Sequence, residues 1–447
     1  MGILGIAWRS IRQRPLTSLL TSLSLALGVA LVVATLVTAG LVQKAFESGA
    51  GLGYNMIVGA KGSPLQLVLN SVYFISKPIE NVPWAFYAEF LPAARRADGV
   101  DGRFAASTKT AVPICMGDYF NSFRVIGTDA AFFGQLTRGD GEPFVFAAGG
   151  NFRDDDYFAG VLGATVAAKL RLAVGDTFSP THGADNGPVH DPFRVVGILA
   201  RTDTPIDRGV FVNMEGFYLQ DGHAKPLPEG VEPPPPPPPS ALGRPAPLPE
   251  AQREVTAILL ETSSQPGLPG MPSLPAELSA MVLRTAINEG RDAQAVLPVG
   301  EIRQLLDLFV RPLELLLLLV TAMVVLVSAI GILVSMIGSS LERTRDVAIM
   351  RALGARRSVV LSAVLAEAVL LAVGGGLAGW ILGHLLVGAL GPWISTNAGV
   401  SASVLSAAPR TELLLVPGLV LVGIVAALVP AIAAYRTDVA RWLQGPG

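Results

Sequence analysis

Charge and sulfur are scarce in this sequence. Only 15% of its 447 residues are charged, against 51% hydrophobic. A soluble protein of this length needs more charge than that to cover its surface, so the chain falls in a membrane class. A single cysteine, Cys115, excludes an intramolecular disulfide, and a domain outside the cytoplasm must then stand on its own core. The sequence has no Gly-x-x-x-x-Gly-Lys-Ser/Thr phosphate loop, no His-Glu-x-x-His and no Gly-x-Ser-x-Gly. Without them, neither nucleotide hydrolysis nor a hydrolase site is expected in this polypeptide, and no catalytic residue is assigned. No basic patch interleaved with aromatics points to nucleic acid.

The charge that is present is segregated. Residues 43–311 hold 22 of the 33 Lys and Arg and 29 of the 35 Asp and Glu, and the flanking segments are net basic. The acidic stretch reads as a water-exposed domain, and the basic remainder as membrane segments with their flanks. At this length the acidic stretch can bury a core of its own, here expected as two lobes.

Spanning about 30 Å of hydrocarbon takes about 20 helical residues. Thr17–Val42 and Leu315–Gly338 carry no charge. Val359–Leu390 is apolar apart from Glu367 and His384, and Leu413–Tyr435 is again uncharged. These are four spans. The first is too long for the apolar region of a cleaved signal and is expected to stay. Arg9, Arg12 and Arg14 precede it. Arg343, Arg345, Arg351, Arg356 and Arg357 lie between the second and third spans, and Arg436 and Arg441 follow the fourth; the loop between the third and fourth has only Arg410. The positive-inside rule then puts both termini in the cytoplasm, residues 43–311 outside, and the chain in the inner (plasma) membrane. The fold class expected is an α-helical membrane protein with four transmembrane helices plus a large mixed α/β extracytoplasmic domain between helices 1 and 2. Residues 1–42 hold the cytoplasmic N-terminus and first span, 43–311 the outer domain, and 312–447 the remaining three spans.

Within the outer domain, alternating apolar residues predict strands at Thr110–Met116, Phe123–Gly127, Phe193–Leu199, Val210–Asn213 and Val255–Glu261. Ala164–Leu172, Leu274–Glu289 and Glu301–Phe309 read as helices, the last leading to Pro312 at the second span. Lys225–Pro249, with its run Pro233–Pro239, reads as an extended or disordered surface insertion. His182, Asp185, His190 and Asp191 share one Gly/Pro-rich loop, but their spacing matches no zinc signature, so a solvated loop is expected. Asp154-Asp155-Asp156 lacks the calcium-loop pattern and reads as a turn or helix cap. No metal or other cofactor is expected in the chain.

The segment most informative about function is the cytoplasmic loop 339–357. Ala348, Ile349, Ala352 and Leu353 fall on one helical face, with Glu342, Arg345 and Asp346 on another, and Gly354 is placed to end the helix. An amphipathic helix at the membrane surface offers its apolar side to a partner protein. In the third span Gly375, Gly379 and Gly383 line one face with small residues, which permits close helix packing, within the chain or between copies. Glu367 is an ionisable group deep in an apolar run and so a functional suspect.

This loop resembles the coupling loop of the FtsX/MacB-like permease family, in the type VII ABC superfamily. Glu342, Arg343, Arg345, Val347, Ala348, Ile349, Arg351, Ala352, Leu353, Gly354 and Ala355 fit the family pattern, with Asp346 where Glu is usual. Ala7–Arg14 resembles the family's N-terminal entry. Val161-Leu162-Gly163, Ala167, Leu170, Gly175-Asp176 and Phe193–Leu199 resemble its periplasmic core domain, and Pro430, Ala434, Tyr435, Arg436 and Leu443 its closing segment. The proline insertion has no counterpart. The resemblance implies a non-catalytic permease subunit working with an ABC ATPase subunit in a separate chain, which would hold the ATP and magnesium. It also implies a second permease copy, identical or related, and an outer partner such as a periplasmic adaptor or a lipoprotein, with membrane lipids around the spans. The implied work is coupling ATP hydrolysis to movement of the outer domain, for export, lipoprotein or lipid extraction, or mechanotransmission. A membrane-anchored receptor or binding protein, and a secondary transporter, are the alternatives.

Overall fold

The computed structural model describes residues 2–50, 52–138, 141–183, 187–227, 245–264, 275–342, 354–398 and 415–435. These residues divide into two compact units. One contains residues up to 43, 308–395 and the last helix; the other contains residues 44–307.

The first unit is helical. A short helix, Ile3–Gln13, precedes the long helix Pro15–Ala50. Ala7 and Ser10 are buried on its inner side, whereas Ile3, Leu4 and Trp8 are exposed. Three helical stretches are long and apolar enough to cross a membrane: Pro15–Gln43, Pro298–Gly338 and Arg357–Gly391. A fourth helix, Leu415–Tyr435, has a shorter described apolar stretch, Pro417–Ile432. By length alone, therefore, three of the four expected spans qualify among the described residues. A shared core is formed by Leu25, Val29, Val33 and Val37 of the first helix, Ile332 and Met336 of the second, Ala368 and Ala372 of the third, and Leu419 and Ala427 of the fourth. Ser24 and Ser328 meet through their hydroxyls at 3.2 Å between the first and second helices. In hydrocarbon such a contact satisfies two groups that have no water to turn to.

The second unit is built on one eleven-stranded sheet. Its strands are β1 Met56–Gly59, β3 Thr108–Phe120, β4 Phe123–Thr128, β5 Phe146–Gly149, β6 Ala159–Leu162, β7 Thr177–Phe178, β8 Thr181–His182, β9 Phe193–Leu199, β10 Val210–Asn213, β12 Ala257–Thr262 and β13 Gln294–Val296. A separate two-stranded ribbon pairs β2 Val82–Pro83 with β11 Glu254–Val255. The main order is β13-β1-β12-β3-β4-β10-β6-β9-β5, with β7 on β9 and β8 on β3. Pairing is parallel for β10 with β4 and for β6 with β9, and antiparallel elsewhere.

The sheet is covered on both faces, which accounts for its composition. Met56, Val58, Cys115, Val125, Val212, Ile258 and Leu260 enter one apolar cluster with Tyr87, Phe90 and Leu283. Ile57, Val112, Ile114, Ile126, Phe211 and Leu259 enter another with Val68, Phe132 and Ile302. Successive side chains of a strand point to opposite faces, so these strands are apolar at nearly every position. Each fully buried large aliphatic contributes about 1.5–3 kcal/mol. The expected division into two lobes is not found: the two cores are the two sides of one sheet.

The predicted strands Phe193–Leu199 and Val210–Asn213 coincide with β9 and β10. The predicted Val255–Glu261 is broken in two at Thr256, whose hydroxyl accepts from the Met116 N–H at 3.0 Å. Helix Pro298–Leu305 runs on through a π-helical turn at Leu306–Val310 into helix Arg311–Glu342, and Pro312 follows directly after that turn, an irregularity of the kind found where the hydrogen-bond ladder is interrupted.

Candidate functional site

Three places in the described residues hold the chemistry of interest. The first is the end of the helical bundle where the loop 339–357 belongs. Helix Arg311–Glu342 is described as far as Glu342, and helix Arg357–Ala398 opens at Arg357. Gly354, just ahead of it, has φ +99°, a left-handed conformation that strains any side chain. Arg343, Arg345, Asp346, Ala348, Ile349, Arg351, Ala352 and Leu353 lie outside the described residues.

At the same end, the Ser10 hydroxyl donates to the carboxylate of Glu367. Glu367 is buried. Its partner stands in the helix ahead of the first span, so the carboxylate sits at the level of that entry helix rather than at mid-span. His384, further along this helix, is half-buried, and its Nδ1 lies 3.1 Å from the Trp380 carbonyl.

The second place is the glycine stripe. A Cβ built on Gly375 would stand 2.7 Å from the Ser22 carbonyl oxygen. One on Gly379 would stand 2.4 Å from that of Ala26, and one on Gly383 2.8 Å from the Val33 Cβ. All three therefore face the first span within the same chain, at backbone contact. The last helix uses the same device, since a Cβ on Gly423 would lie 2.9 Å from that of Ala372. Small residues are what let helix backbones approach without a hydrophobic driving force.

The third place lies in the α/β unit and gathers residues that no local motif joins. Asp118, His182, His190 and His223 bring one ligand atom each to within 4.8 Å of one another. Asp118 stands in β3 where its register to β4 shifts between Met116 and Tyr119, an irregularity that re-aims a side chain. β8 pairs His182 directly with Asp118, and the Gly183 N–H donates to the Gly117 carbonyl at 3.1 Å. His190 returns beside them, its N–H donating to the Pro180 carbonyl at 2.8 Å. His223 follows helix Met214–Tyr218, which Asn213 caps, and the turn at Gly222, φ +83°, delivers it.

The distances are short. His182 Nδ1 and His223 Nε2 each lie 3.3 Å from Asp118 Oδ1, and His190 Nε2 lies 3.4 Å from Asp118 Oδ2. His182 Nδ1 and His223 Nε2 are 3.2 Å apart. Asp118 and His190 are buried. Burial holds the His190 imidazole below its usual range, opposed by the attraction of Asp118. The expectation of a solvated loop thus fails for His190, while Asp185 lies outside the described residues. Asp191 is tied elsewhere, with its N–H donating to Gln220 Oε1 at 2.9 Å. Asp118 and His223 carry no local spacing signal, and only their convergence in the fold reveals them. Of the three aspartates at 154–156, Asp154 accepts from the Ala130 N–H at the start of a short helix, and Asp155 and Asp156 pair with Arg153 and Arg194.

Bundle and sheet together define a class, a membrane protein whose apolar helices are interrupted in sequence by a large folded α/β domain. Two family models match the chain. That of the MacB-like periplasmic core domain matches residues 18–229, and that of the FtsX-like permease C-terminal region matches residues 318–439. No curated protein matches it. The chain belongs to the FtsX/MacB-like ABC permease family. It is accordingly an ABC-type permease subunit, of a family that is generally non-catalytic and that works with an ABC ATPase.

Proposed function

We propose that this chain converts ATP binding and hydrolysis by a separate ATPase subunit into movement of its extracytoplasmic domain, for export, for lipoprotein or lipid extraction, or for transmission of force to an outer partner. The observation that carries the reading is the buried link between Ser10 and Glu367. It ties the entry helix, and through it the first span, to the helix that begins directly after the coupling loop. Movement of that loop would then be shared by two spans instead of being absorbed by one. The glycine stripe supports the same reading, because backbones in contact move together.

In this scheme the chain has four spans, lies in the inner membrane with both termini in the cytoplasm, and has residues 43–311 outside, as the basic residues at 9–14, 343–357 and 436–441 direct. ATP and magnesium belong to the partner ATPase. A second permease copy completes the complex; Leu315, Leu316, Leu319 and Met323 of the second span are exposed and offer it an apolar face that lipid covers otherwise. An adaptor or a lipoprotein is the outer partner. Solubilising the tagged chain in mild detergent tests the scheme. An ATP-hydrolysing chain should co-purify, and recovery without one contradicts the reading.

A further inference from the structure

We propose that Asp118, His182, His190 and His223 form a binding site for one divalent transition-metal ion, zinc by preference, that fastens together three segments of the extracytoplasmic domain. The site goes beyond the transport reading and does not depend on it.

The geometry is that of a coordination shell. Four ligands about 2.0–2.2 Å from a tetrahedral ion stand about 3.3–3.6 Å from one another. Asp118 Oδ1, His182 Nδ1 and His223 Nε2 stand 3.2, 3.3 and 3.3 Å apart, which agrees with that spacing; His190 Nε2 lies 3.4 Å from the other carboxylate oxygen, and one ligand atom from each of the four residues falls within 4.8 Å of the rest. The electrostatics point the same way. Both carboxylate oxygens of Asp118 and Nε2 of His190 are buried and make no hydrogen bond among the described residues. An ionised carboxylate withdrawn from water with no donor is costly. A cation held by the Asp118 carboxylate and His190 Nε2 offsets that cost and gives both buried groups a partner.

The surroundings also fit. His223 Nδ1 lies 2.6 Å from the Phe217 carbonyl, so that nitrogen carries the proton and Nε2 presents its lone pair to the cluster. A backbone carbonyl holding the far nitrogen is the usual support of a metal-bound histidine. The His223 ring is further fixed against Phe217, with centroids 4.2 Å apart. His182 is the open side, with 44% of its side chain exposed, and gives the ion its way in. Three imidazoles with one carboxylate suit zinc and its neighbours. They offer too few oxygens for calcium or magnesium and no sulfur for copper(I).

The consequence is local. Asp118 lies in β3, His182 and His190 on the β8 hairpin, and His223 beside Lys225, whose N–H donates to the Gln252 carbonyl at 2.9 Å at the root of the proline insertion. An ion would staple these three strangers in sequence where no disulfide is available to do so.

The test uses the full chain in detergent, stripped with chelator and titrated with zinc. One ion per chain should bind, the melting temperature should rise with zinc and not with magnesium or calcium, and cobalt should give the intense visible bands of a tetrahedral site. His182→Ala, half-exposed and so tolerated by the fold, should weaken zinc binding about tenfold or more. Asp118→Asn should abolish the cobalt bands, and His384→Gln, at the only other histidine, should change nothing. No saturable zinc binding by the parent, or binding and cobalt spectra unaltered by both His182→Ala and Asp118→Asn, would overturn the proposal.

Discussion

The Ser10 hydroxyl donates to the carboxylate of Glu367, joining helix Ile3–Gln13 to helix Arg357–Ala398. Breaking a buried hydrogen bond to a charged group costs about 1–3 kcal/mol, whereas exchanging one acceptor for another costs less. Glu367→Leu should therefore lower the melting temperature of the detergent-solubilised chain and reduce its stimulation of the ATPase, and Glu367→Gln should retain most of both. Equal behaviour of the two variants would remove the link from the account.

Gly379 leaves no room for a side chain, with the Ala26 carbonyl 2.4 Å from where its Cβ would be. Forcing a branched side chain between two packed helices costs about 1–3 kcal/mol. Gly379→Val should destabilise the bundle, seen as earlier unfolding in detergent. Gly374→Ala, with open space around it, should leave the melting temperature unchanged or raise it slightly, as alanine favours the helix over glycine.

How much of this was legible in the sequence depended on what each feature does to the local pattern. β9 shows because alternate residues Arg194, Val196 and Ile198 are less buried than their neighbours, and this writes a two-residue period into the sequence. β1 does not, because all four residues of Met56–Gly59 are buried, and a strand covered on both faces has no period to read. The amount of apolar surface told how large a core to expect, but not that one sheet would divide it. The glycine stripe was visible at its four-residue spacing; its partner, the first span, was not, since nothing local records which helix a face meets. The histidine cluster lay furthest from view. Its members come from three separate segments, and Asp118 is aimed by a strand irregularity that no residue type announces.

The orientation of the chain can be read with introduced cysteines. The native thiol will not interfere: Cys115 is buried beside Tyr218, and burial pushes it up to about 12. Ser240→Cys should react with an impermeant thiol reagent in outer-permeabilised cells, and Ser340→Cys should not. The reverse labelling would invert the assigned topology.

Deletion of Pro233–Pro239 should be tolerated. The feet of this insertion are held independently of it, with the Lys225 ammonium 2.7 Å from Glu254 and Arg253 doubly paired with Glu215 at 2.8 and 3.0 Å. Each doubling or halving of a flexible loop changes its closure entropy by only about 0.6 kcal/mol. Expression and ATPase stimulation should stay near parental levels. Loss of complex assembly would instead identify the proline run as a binding element.

The central claim is that loop 339–357 receives the ATPase. The sequence pattern assigns Ile349 to an apolar face of the expected helix, and a charge there would be harmless in water but costly once buried against a partner without a counter-charge. The arginines at 343, 345, 356 and 357 remain to hold the loop inside, so Ile349→Asp should still insert and fold. The deciding measurement is pull-down of the ATPase by Ile349→Asp, made beside the ATPase rate of the reconstituted complex. The account predicts a folded permease that no longer captures or stimulates its ATPase; capture and stimulation at the parental level would contradict it.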